Sequence, residues 1–486
     1  MKDEYRRRLT QLLGDSVSFD QQICAAYDHD LGEMPGVLMA QIKACPTAVV
    51  VPKTTQDVVK ALTFAGETGT PVTPRGQASS GFGGAIPTRG GLLLDLSSLN
   101  RVLAVDQEAM TVDVEPGVVW QGLSKELQRC GLDNRICPTS APSATVGGWF
   151  AMGGVGIGSL RYGSVADVVE EIDVVGLDGR TVTCRGDRMQ PYYQTCGSLG
   201  IITRLRLKCR KAEALRPYAI EFPDAFSLQA FMQEAIRSFD IDTAILHSDG
   251  YVAMRKAAGG HHSLAKGHFL AILAIPESQA DDAKLALLTK MHKGEQFSEQ
   301  VAREEWGDRF YPMRIKKVGP TVLVGEFYLP VDNFAAAWEE IAGDLSRDCI
   351  GMEALAISKS ELTVLVYLPE CSKDLLYPVR MAKAVRPAAI ARRHGGRPYT
   401  AGMWFAAESK EVLGKAKYAG YRRLKKELDP ENLLNPGKIV APGMRWLPIL
   451  NLGTVVHLGS ALASPFARFL SYRGKGPSPS GEHHEH

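Results

Sequence analysis

The stretch that decides the fold runs from Pro138 to Gly163 and reads PTSAPSATVGGWFAMGGVGIGSLRYG, with seven glycines. Glycine is required where the backbone takes a positive φ angle or closely approaches another group. Backbone N–H groups, Ser and Thr hydroxyls and the Arg161 guanidinium together suit a pyrophosphate. Taken alone, however, the stretch fits a flexible glycine-rich loop better.

A second loop with the same chemistry runs from Pro74 to Ala85 and reads PRGQASSGFGGA. The residues before it predict a β-α-β unit. Thr47–Pro52 is a β-branched run, Thr55–Ala65 has helical spacing with Thr55 as the expected N-cap, and Pro71–Pro74 is a short strand. A phosphate-type loop at the end of such a unit makes a flexible linker the weaker interpretation.

Bulk properties indicate a folded chain of several domains. The 486 residues are 45% hydrophobic, and 56 basic against 54 acidic residues leave a net charge of +2, which argues against a nucleic-acid binder. The charged stretch Met1–Arg8 lacks the apolar core of a secretory signal. The nine cysteines show no Cys-x-x-Cys spacing, so we expect free thiols in a reducing, cytoplasmic compartment and no iron–sulfur cluster.

The secondary-structure pattern changes near residue 210. Before it, Val102–Val105 and Met110–Val114 predict paired strands, and Asp178-Gly179 predicts a hairpin turn. After it, glycine becomes sparse and helices alternate with strands over residues 215–400, which indicates a separate α+β domain. Glu411–Leu428 is predicted as one continuous helix.

Four motifs, in order along about 390 residues, carry a family resemblance: Pro74-Arg-Gly-x-x-Ser-x-x-x-Gly-Gly84, Ala144-Thr-Val-Gly-Gly148 through Leu160-Arg-Tyr-Gly163, Gly197-Ser-Leu-Gly-Ile-Ile-Thr203 and Leu434-Asn-Pro-Gly-Lys438. The chain resembles the FAD-linked oxidases of the vanillyl-alcohol oxidase and p-cresol methylhydroxylase (PCMH) type. Within these it is most similar to glycolate oxidase flavoprotein subunits and D-lactate dehydrogenases.

The resemblance implies an α+β fold in which a two-part PCMH-type FAD-binding domain holds an inserted α+β cap domain. The expected parts are residues 1–210 for the FAD-binding domain, 211–400 for the cap that receives substrate, 401–440 for a segment completing the flavin site, and 441–486 for a tail. Asn435 and Lys438 would approach the flavin ring, although Asn435-Pro-Gly by itself is typical of a tight turn after a helix.

The cofactor contacts implied by the resemblance lie in four groups. The first loop would wrap the pyrophosphate, the second would line the other side of FAD, and the Gly200 segment would meet the adenosine or ribityl part. The full set is Pro74, Arg75, Gly76, Gln77, Ala78, Ser79, Ser80, Pro138, Thr139, Ser140, Thr145, Gly147, Gly148, Gly154, Ser159, Leu160, Arg161, Tyr162, Gly200, Ile201, Ile202, Asn435 and Lys438.

The chain departs from its relatives at the metal site. Relatives that oxidise D-2-hydroxyacids carry His-x-Gly-Asp-Gly-Asn and Glu-His-Gly, which bind a metal that polarises the substrate hydroxyl. Residues 354–362 and 394–402 lack these ligands here, so we expect no catalytic metal. Arg309 stands where relatives place the arginine that holds the substrate carboxylate. His394 is the candidate base, although a lone histidine is more often structural.

The resemblance implies a dehydrogenase that oxidises a small hydroxyacid, such as D-lactate or glycolate, and passes electrons to an iron–sulfur partner protein. One alternative is an FAD subunit with an electron-transfer or structural role in a larger complex, and another is an alkyl-transferring synthase of the same fold, in which the flavin forms a covalent adduct. The apolar run Trp446–Leu470 predicts a helix that docks on that partner, at a membrane surface or on its own chain. These three docking sites for the tail stay open as alternatives at this point.

We predict that FAD is bound non-covalently. Covalent members of the superfamily often attach the flavin to a histidine of the first loop, whereas no His or Cys lies between Pro71 and Gly91 here. Acid precipitation of the holoprotein should therefore leave all yellow colour in the supernatant. A yellow pellet would contradict this, and Cys137 would then be the nearby residue to examine for the attachment.

Overall fold

The computed structural model describes residues 2–310, 312–319 and 321–440, together with Gly459, Leu462, Ala463, Phe466, Ala467 and Leu470. The rest of the predicted tail, 441–486, lies outside the described residues. The described chain forms two compact units. The first unit contains residues 2–154, 164–212 and 400–440, and the second contains the described residues of 155–163, 213–399 and 459–470.

The strands, in chain order, are β1 (Val17–Ser18), β2 (Ala48–Val50), β3 (Val72–Arg75), β4 (Leu92–Asp95), β5 (Val102–Asp106), β6 (Thr111–Val114), β7 (Leu132–Asn134), β8 (Val169–Val175), β9 (Thr181–Arg185), β10 (Ile201–Lys211), β11 (Leu215–Phe222), β12 (Thr243–Ser248), β13 (Phe269–Pro276), β14 (Glu295–Gln296), β15 (Thr321–Pro330), β16 (Gly351–Ala356), β17 (Glu361–Glu370) and β18 (Arg397–Pro398).

The α-helices are α1 (Lys2–Leu13), α2 (Gln21–Ala25), α3 (Gly36–Met39), α4 (Thr55–Thr68), α5 (Trp120–Gln128), α6 (Val146–Met152), α7 (Ser159–Tyr162), α8 (Val165–Val168), α9 (Ala225–Ser238), α10 (Asp249–Ala257), α11 (Asp282–Met291), α12 (Glu299–Gly307), α13 (Phe334–Asp344), α14 (Tyr377–Arg380), α15 (Arg386–Arg393), α16 (Ser409–Leu413) and α17 (Lys415–Leu428). None of these described helices combines the length and apolar character needed to cross a membrane.

The first unit contains two sheets. In the smaller, the order is β1-β2-β4-β3, and β2, β4 and β3 run parallel. This arrangement confirms the predicted β-α-β unit, because α4 connects β2 to β3 and buries Val58, Leu62 and Phe64 in the core beside this sheet. In the larger sheet, the order is β5-β6-β10-β8-β9, with β7 also paired to β10. The predicted pairs β5–β6 and β8–β9 are both present.

Two local predictions were wrong. The N-cap of α4 is Thr54 rather than Thr55, because Asp57 stands three residues after Thr54 and the two close a reciprocal capping box. The helix predicted over Glu411–Leu428 is interrupted at Gly414, whose φ of +77° is incompatible with a continuing helix. The sequence shows the glycine, but helical spacing on both sides of it concealed the break.

The second unit is built on an eight-stranded sheet in the order β14-β11-β13-β12-β16-β17-β15-β18, and every pair is antiparallel. Its inner face packs on α9, α13 and α15 in a large apolar core that includes Phe231, Phe327 and Phe334. Its outer face meets α10 and the turn Pro312–Lys317 in a smaller cluster around Tyr251, Ile315 and Tyr367. One tail residue contacts this unit: the Leu470 carbonyl accepts a hydrogen bond from the buried Lys383 at 2.6 Å.

We predict that Gly91→Ala destabilises the first unit far more than Gly14→Ala. Both glycines have positive φ, +81° and +55°, so either substitution strains the backbone by about 1–3 kcal/mol. A Cβ at Gly91 would also overlap the Pro71 carbonyl, whereas nothing lies within 4 Å of a Cβ at Gly14. Urea unfolding of the two variants measures the difference, and equal losses would contradict the packing at the start of β4.

Candidate functional site

The first glycine-rich loop leaves β3 at Arg75 and is held in place by Asp30. The Asp30 carboxylate accepts hydrogen bonds from the Gly32 N–H at 2.9 Å and from the Gly83 N–H at 2.7 Å. Arg75 donates to the His29 carbonyl at 2.6 Å, and its guanidinium lies over the Tyr27 ring at 5.2 Å. The segment around residues 27–32 therefore fixes both ends of a loop that begins about 45 residues later. Sequence reasoning missed this support.

The second loop meets the first at Thr145. Thr145 is the N-cap of α6, and its hydroxyl accepts a hydrogen bond from the Gly148 N–H at 3.3 Å. A Cβ on Gly76 would overlap this hydroxyl, and a Cβ on Gly147 would overlap Pro116. Close packing therefore requires glycine at positions 76 and 147, and the approach of Gly76 to Thr145 brings the two predicted cofactor loops together.

The C-terminal segment joins the loops through Asn435. Its side-chain amide donates to the Gly84 carbonyl at 3.0 Å and to the Cys196 carbonyl at 2.6 Å, while its backbone N–H donates to the Val72 carbonyl at 2.7 Å. Asn435 has a φ of +37°, so the expected tight turn is present as well. The buried Asn435 side chain is thus part of a turn and also connects the first loop to the third, whereas its approach to the flavin ring stays a prediction.

Lys425 strengthens the same junction. Its ammonium donates to the carbonyls of Ser198 at 2.7 Å and Leu434 at 2.6 Å, and pairs with Asp429 at 2.6 Å. Asp429 in turn accepts the backbone N–H groups of Leu433 and Leu434, at 2.8 and 2.7 Å. A buried charge is tolerated when it is paired and hydrogen-bonded, as here. This support was not predicted either.

In the interior of the loop junction, burial shifts the pKa values of two ionisable groups toward neutral pH. Burial lowers the pKa of Lys438 to about 7, against the opposing influence of Cys196 and Asp30. Burial likewise raises the pKa of Asp30 to about 6. The Lys438 ammonium donates to the Ile86 carbonyl, and the Thr88 hydroxyl donates to the Pro436 carbonyl at 2.7 Å.

These residues fit FAD. The two loops are rich in backbone N–H groups and contain the half-buried Ser79, Ser80 and Ser140, whose hydroxyls belong to the donor set that a pyrophosphate needs. Asn435 Oδ1 is buried, and among the described residues it has no hydrogen-bond partner, so it is free to accept from a bound ring system. Bound FAD would supply a two-electron acceptor, and this chain would hold it through backbone amides, hydroxyls and the Asn435 and Lys438 side chains.

Other predicted cofactor contacts have evident structural roles. Gly200 packs where a Cβ would overlap Val174, and Ile201 and Ile202 begin β10 with buried side chains. Gly154 lies against Trp149. Their contact with FAD stays a prediction.

The predicted residues Ser159 to Tyr162 form α7 and belong to the second unit. There the Arg161 guanidinium lies 2.7 Å from Glu213 and 3.2 Å from Asp240, and Ser159 accepts a hydrogen bond from the Gly156 N–H at 2.8 Å. Arg161 is therefore paired with acidic side chains of its own unit. Its predicted role at the pyrophosphate stays a prediction.

The two candidate catalytic residues also lie in the second unit, on different elements. Arg309 follows α12, and its guanidinium lies over the rings of Trp306 and Phe310 at 4.1 and 4.3 Å. His394 caps the C-terminus of α15, and its Nε2 lies 2.7 Å from Glu340. The described residues contain no group of three or more His, Cys, Asp or Glu arranged to hold a metal ion.

Comparison with known proteins agrees with this architecture. Residues 46–185 match the model of the FAD binding domain family, and residues 206–439 match that of the FAD linked oxidases, C-terminal domain. Among solved structures, an alkyldihydroxyacetonephosphate synthase superposes with a TM-score of 0.73 at 19% identity, covering 89% of this chain and 84% of that one. A p-cresol methylhydroxylase with substrate bound gives 0.72 at 15% identity, covering 90% and 97%.

The fold is therefore that of a PCMH-type flavoprotein, as predicted. Among curated proteins, the chain is 26% identical over 443 residues to the glycolate oxidase subunit GlcD of Bacillus subtilis (strain 168), covering 83% of this chain and 91% of that protein. It is 24% identical over 427 residues to a mitochondrial D-lactate dehydrogenase [cytochrome] of Arabidopsis thaliana, covering 82% and 74%. The chain belongs to the FAD-linked oxidases, a family of oxidoreductases, and its cofactor is FAD.

We predict that Asn435→Ala weakens FAD binding by about tenfold or more, because it removes two buried hydrogen bonds of roughly 1 kcal/mol each and leaves two carbonyls unpaired. Asn432→Ala is the matched control, since Asn432 also has a positive φ but is exposed. Titration of each apoprotein with FAD, followed by flavin fluorescence, gives the two affinities. Equal affinities would exclude Asn435 as the connection between the loops.

Proposed function

We propose that this chain is an FAD-dependent dehydrogenase that oxidises a small 2-hydroxyacid, such as D-lactate or glycolate, and passes the electrons to a partner redox protein. The observation that carries the proposal is similarity along most of the chain to proteins named for these reactions. The FAD-fitting loops of the first unit support the redox part. Because the described residues offer no cysteine cluster for a second redox centre, the electrons would leave for another molecule, and the resemblance to glycolate oxidase subunits makes an iron–sulfur protein the acceptor that we propose.

Arg309 is the residue we assign to the substrate carboxylate. Its guanidinium is half-buried and oriented by stacking on Trp306 and Phe310 and by a hydrogen bond to the Trp306 carbonyl. A planar, oriented guanidinium suits bidentate contact with a carboxylate. His394 is a weaker candidate for the base, because Glu340 already occupies its Nε2.

A second function is an FAD subunit that carries electrons or supports a larger complex without oxidising substrate itself. The observation that favours it is the loss, at residues 354–362 and 394–402, of the metal-binding motifs of hydroxyacid-oxidising relatives. Under this alternative, FAD would bind as tightly as in an enzyme, but no hydroxyacid would reduce it.

Anaerobic reduction of the bound flavin separates the two functions. The holoprotein is mixed, without oxygen, with D-lactate, L-lactate, glycolate and D-2-hydroxyglutarate, and the yellow absorbance is followed. Bleaching by at least one hydroxyacid within seconds to minutes supports the dehydrogenase. A flavin that photoreduction bleaches but none of these acids does would support the second function.

We predict that Arg309→Lys lowers kcat/KM for the active hydroxyacid by about 1.5–3 kcal/mol, or roughly tenfold to over one hundredfold, since lysine cannot make the bidentate contact. FAD content should not change. Arg303→Lys is the control, because Arg303 is an exposed residue of α12, the helix that ends just before Arg309, and pairs with Glu299. If both variants keep wild-type kinetics, Arg309 does not hold the substrate.

A further inference from the structure

A recess in the second unit lies where three segments of the chain meet. It is bordered by α7, by the end of α9 with the loop that follows, and by the turn between β16 and β17. All three segments belong to this unit. The cavity volume is about 420 Å³, and small-molecule sites usually have volumes of about 300–1,000 Å³. We call this cavity the α7–α9 recess.

Two exposed cations line this recess and are free to meet an anion. Arg237 lies in the last turn of α9, and Lys359 lies in the turn between β16 and β17. Within the described part of the chain, neither side chain takes part in an ion pair or a hydrogen bond. The turn that carries Lys359 is itself ordered, because the backbone N–H groups of Ile357 and Ser358 donate to the Glu361 carbonyl at 3.0 and 3.3 Å. Two like charges on one small cavity repel each other, so an anion between them would be stabilising.

Arg161 on α7 adds a third cation, which two carboxylates hold in position. Its guanidinium lies 2.7 Å from Glu213 and 3.2 Å from Asp240, and 26% of its side chain is exposed. From α11, the Lys284 ammonium donates to the Ser238 carbonyl at 2.7 Å. Three basic side chains and the Asp240 carboxylate therefore line the recess, and the resulting electrostatic field favours an anionic ligand.

The rest of the lining suits the uncharged part of a ligand. Leu160, Phe239 and Ile241 contribute apolar side chains. Helix α9 ends at Ser238, and the last carbonyls of a helix lack intrahelical partners and carry partial negative charge. Together with the Asp240 carboxylate, these acceptors suit hydroxyl or amino groups that donate hydrogen bonds. A ligand would therefore direct its anionic group to the two free cations and its donor groups to the end of α9.

We propose that the α7–α9 recess binds a small phosphate monoester whose organic part carries hydrogen-bond donors, such as a nucleoside monophosphate or a sugar phosphate. A phosphate monoester has a charge of about −1.5 to −2 at pH 7, which matches two unpaired cations better than a single carboxylate does. The Arg237 guanidinium suits bidentate contact with phosphate oxygens, and Lys359 adds a point charge. Arg309 and His394 do not line the recess, so this proposal does not rest on the proposed function.

Calorimetric titration of the FAD-loaded protein tests the proposal. The probes are AMP, glucose 6-phosphate, adenosine, glucose and inorganic phosphate, and flavin absorbance is recorded throughout to show that FAD stays bound. At least one of the two esters should bind at least tenfold more tightly than inorganic phosphate and than its own dephosphorylated form. Preference for AMP would assign the recess to nucleotides, and preference for glucose 6-phosphate would assign it to sugar phosphates.

Two variants locate the binding in the recess. Arg237→Gln and Lys359→Gln should each weaken binding of the ester about tenfold, because each removes a charge-assisted contact with the phosphate. Both residues are exposed, so the fold should persist, and thermal unfolding of the variants checks this. Lys373→Gln is the matched control, since Lys373 is an exposed lysine of the same unit that does not line the recess. It should bind the ester as the wild type does.

Four results would overturn the proposal. They are no binding of either ester, equally tight binding of inorganic phosphate, ester affinities that neither Arg237→Gln nor Lys359→Gln changes, and release of FAD as the ester binds. The last result would place the ester in the cofactor site instead. None of these measurements depends on turnover, so the site can fail while a hydroxyacid still bleaches the flavin, and it can stand while none does.

Discussion

The cofactor loops depend on the hydrogen bonds and the ion pair that the buried Lys425 ammonium makes with Ser198, Leu434 and Asp429. Burial lowers the pKa of this lysine, and Asp429 and two backbone carbonyls compensate its charge. An isolated ammonium would be too costly in this interior, so the helix α17, the turn after it and the Ser198 loop have to form together. Asn435 extends the same junction to Gly84 and Val72. Segments separated by more than 350 residues thus become one site, although none of them could hold a cofactor alone.

Much of this site could be predicted because glycine is chemically distinctive. Gly76, Gly147 and Gly148 stand where a side chain would overlap a neighbour, and in the sequence they belong to recognisable glycine-rich motifs. The supports of the loops could not be predicted in the same way. Asp30 and Lys425 are ordinary residues in the sequence, and their role arises only when chain segments far apart in sequence come into contact. The break at Gly414 shows the opposite difficulty, because helical periodicity on both sides outweighed one visible glycine.

The second unit was predictable as an α+β domain but not in its details. Alternation of apolar residues identifies the strands, whereas the register that aligns His247, Glu353 and Glu326 depends on three separate strand pairings. The same limit applies to the candidate catalytic residues. Arg309 is oriented by its own aromatic neighbours, but His394 is engaged by Glu340, a contact between two elements that sequence spacing does not reveal. The polar chemistry of this unit is thus a product of register rather than of motif.

Hydrogen–deuterium exchange of the full chain with and without FAD tests most directly whether the loops form one cofactor site. The segments 76–84, 145–148, 197–200 and 433–438 are joined by the Thr145, Asn435 and Lys425 contacts. Adding FAD to the apoprotein should therefore slow amide exchange in all four segments at the same FAD concentration. Protection of a single loop, with residues 433–438 exchanging equally fast in both states, would contradict the account.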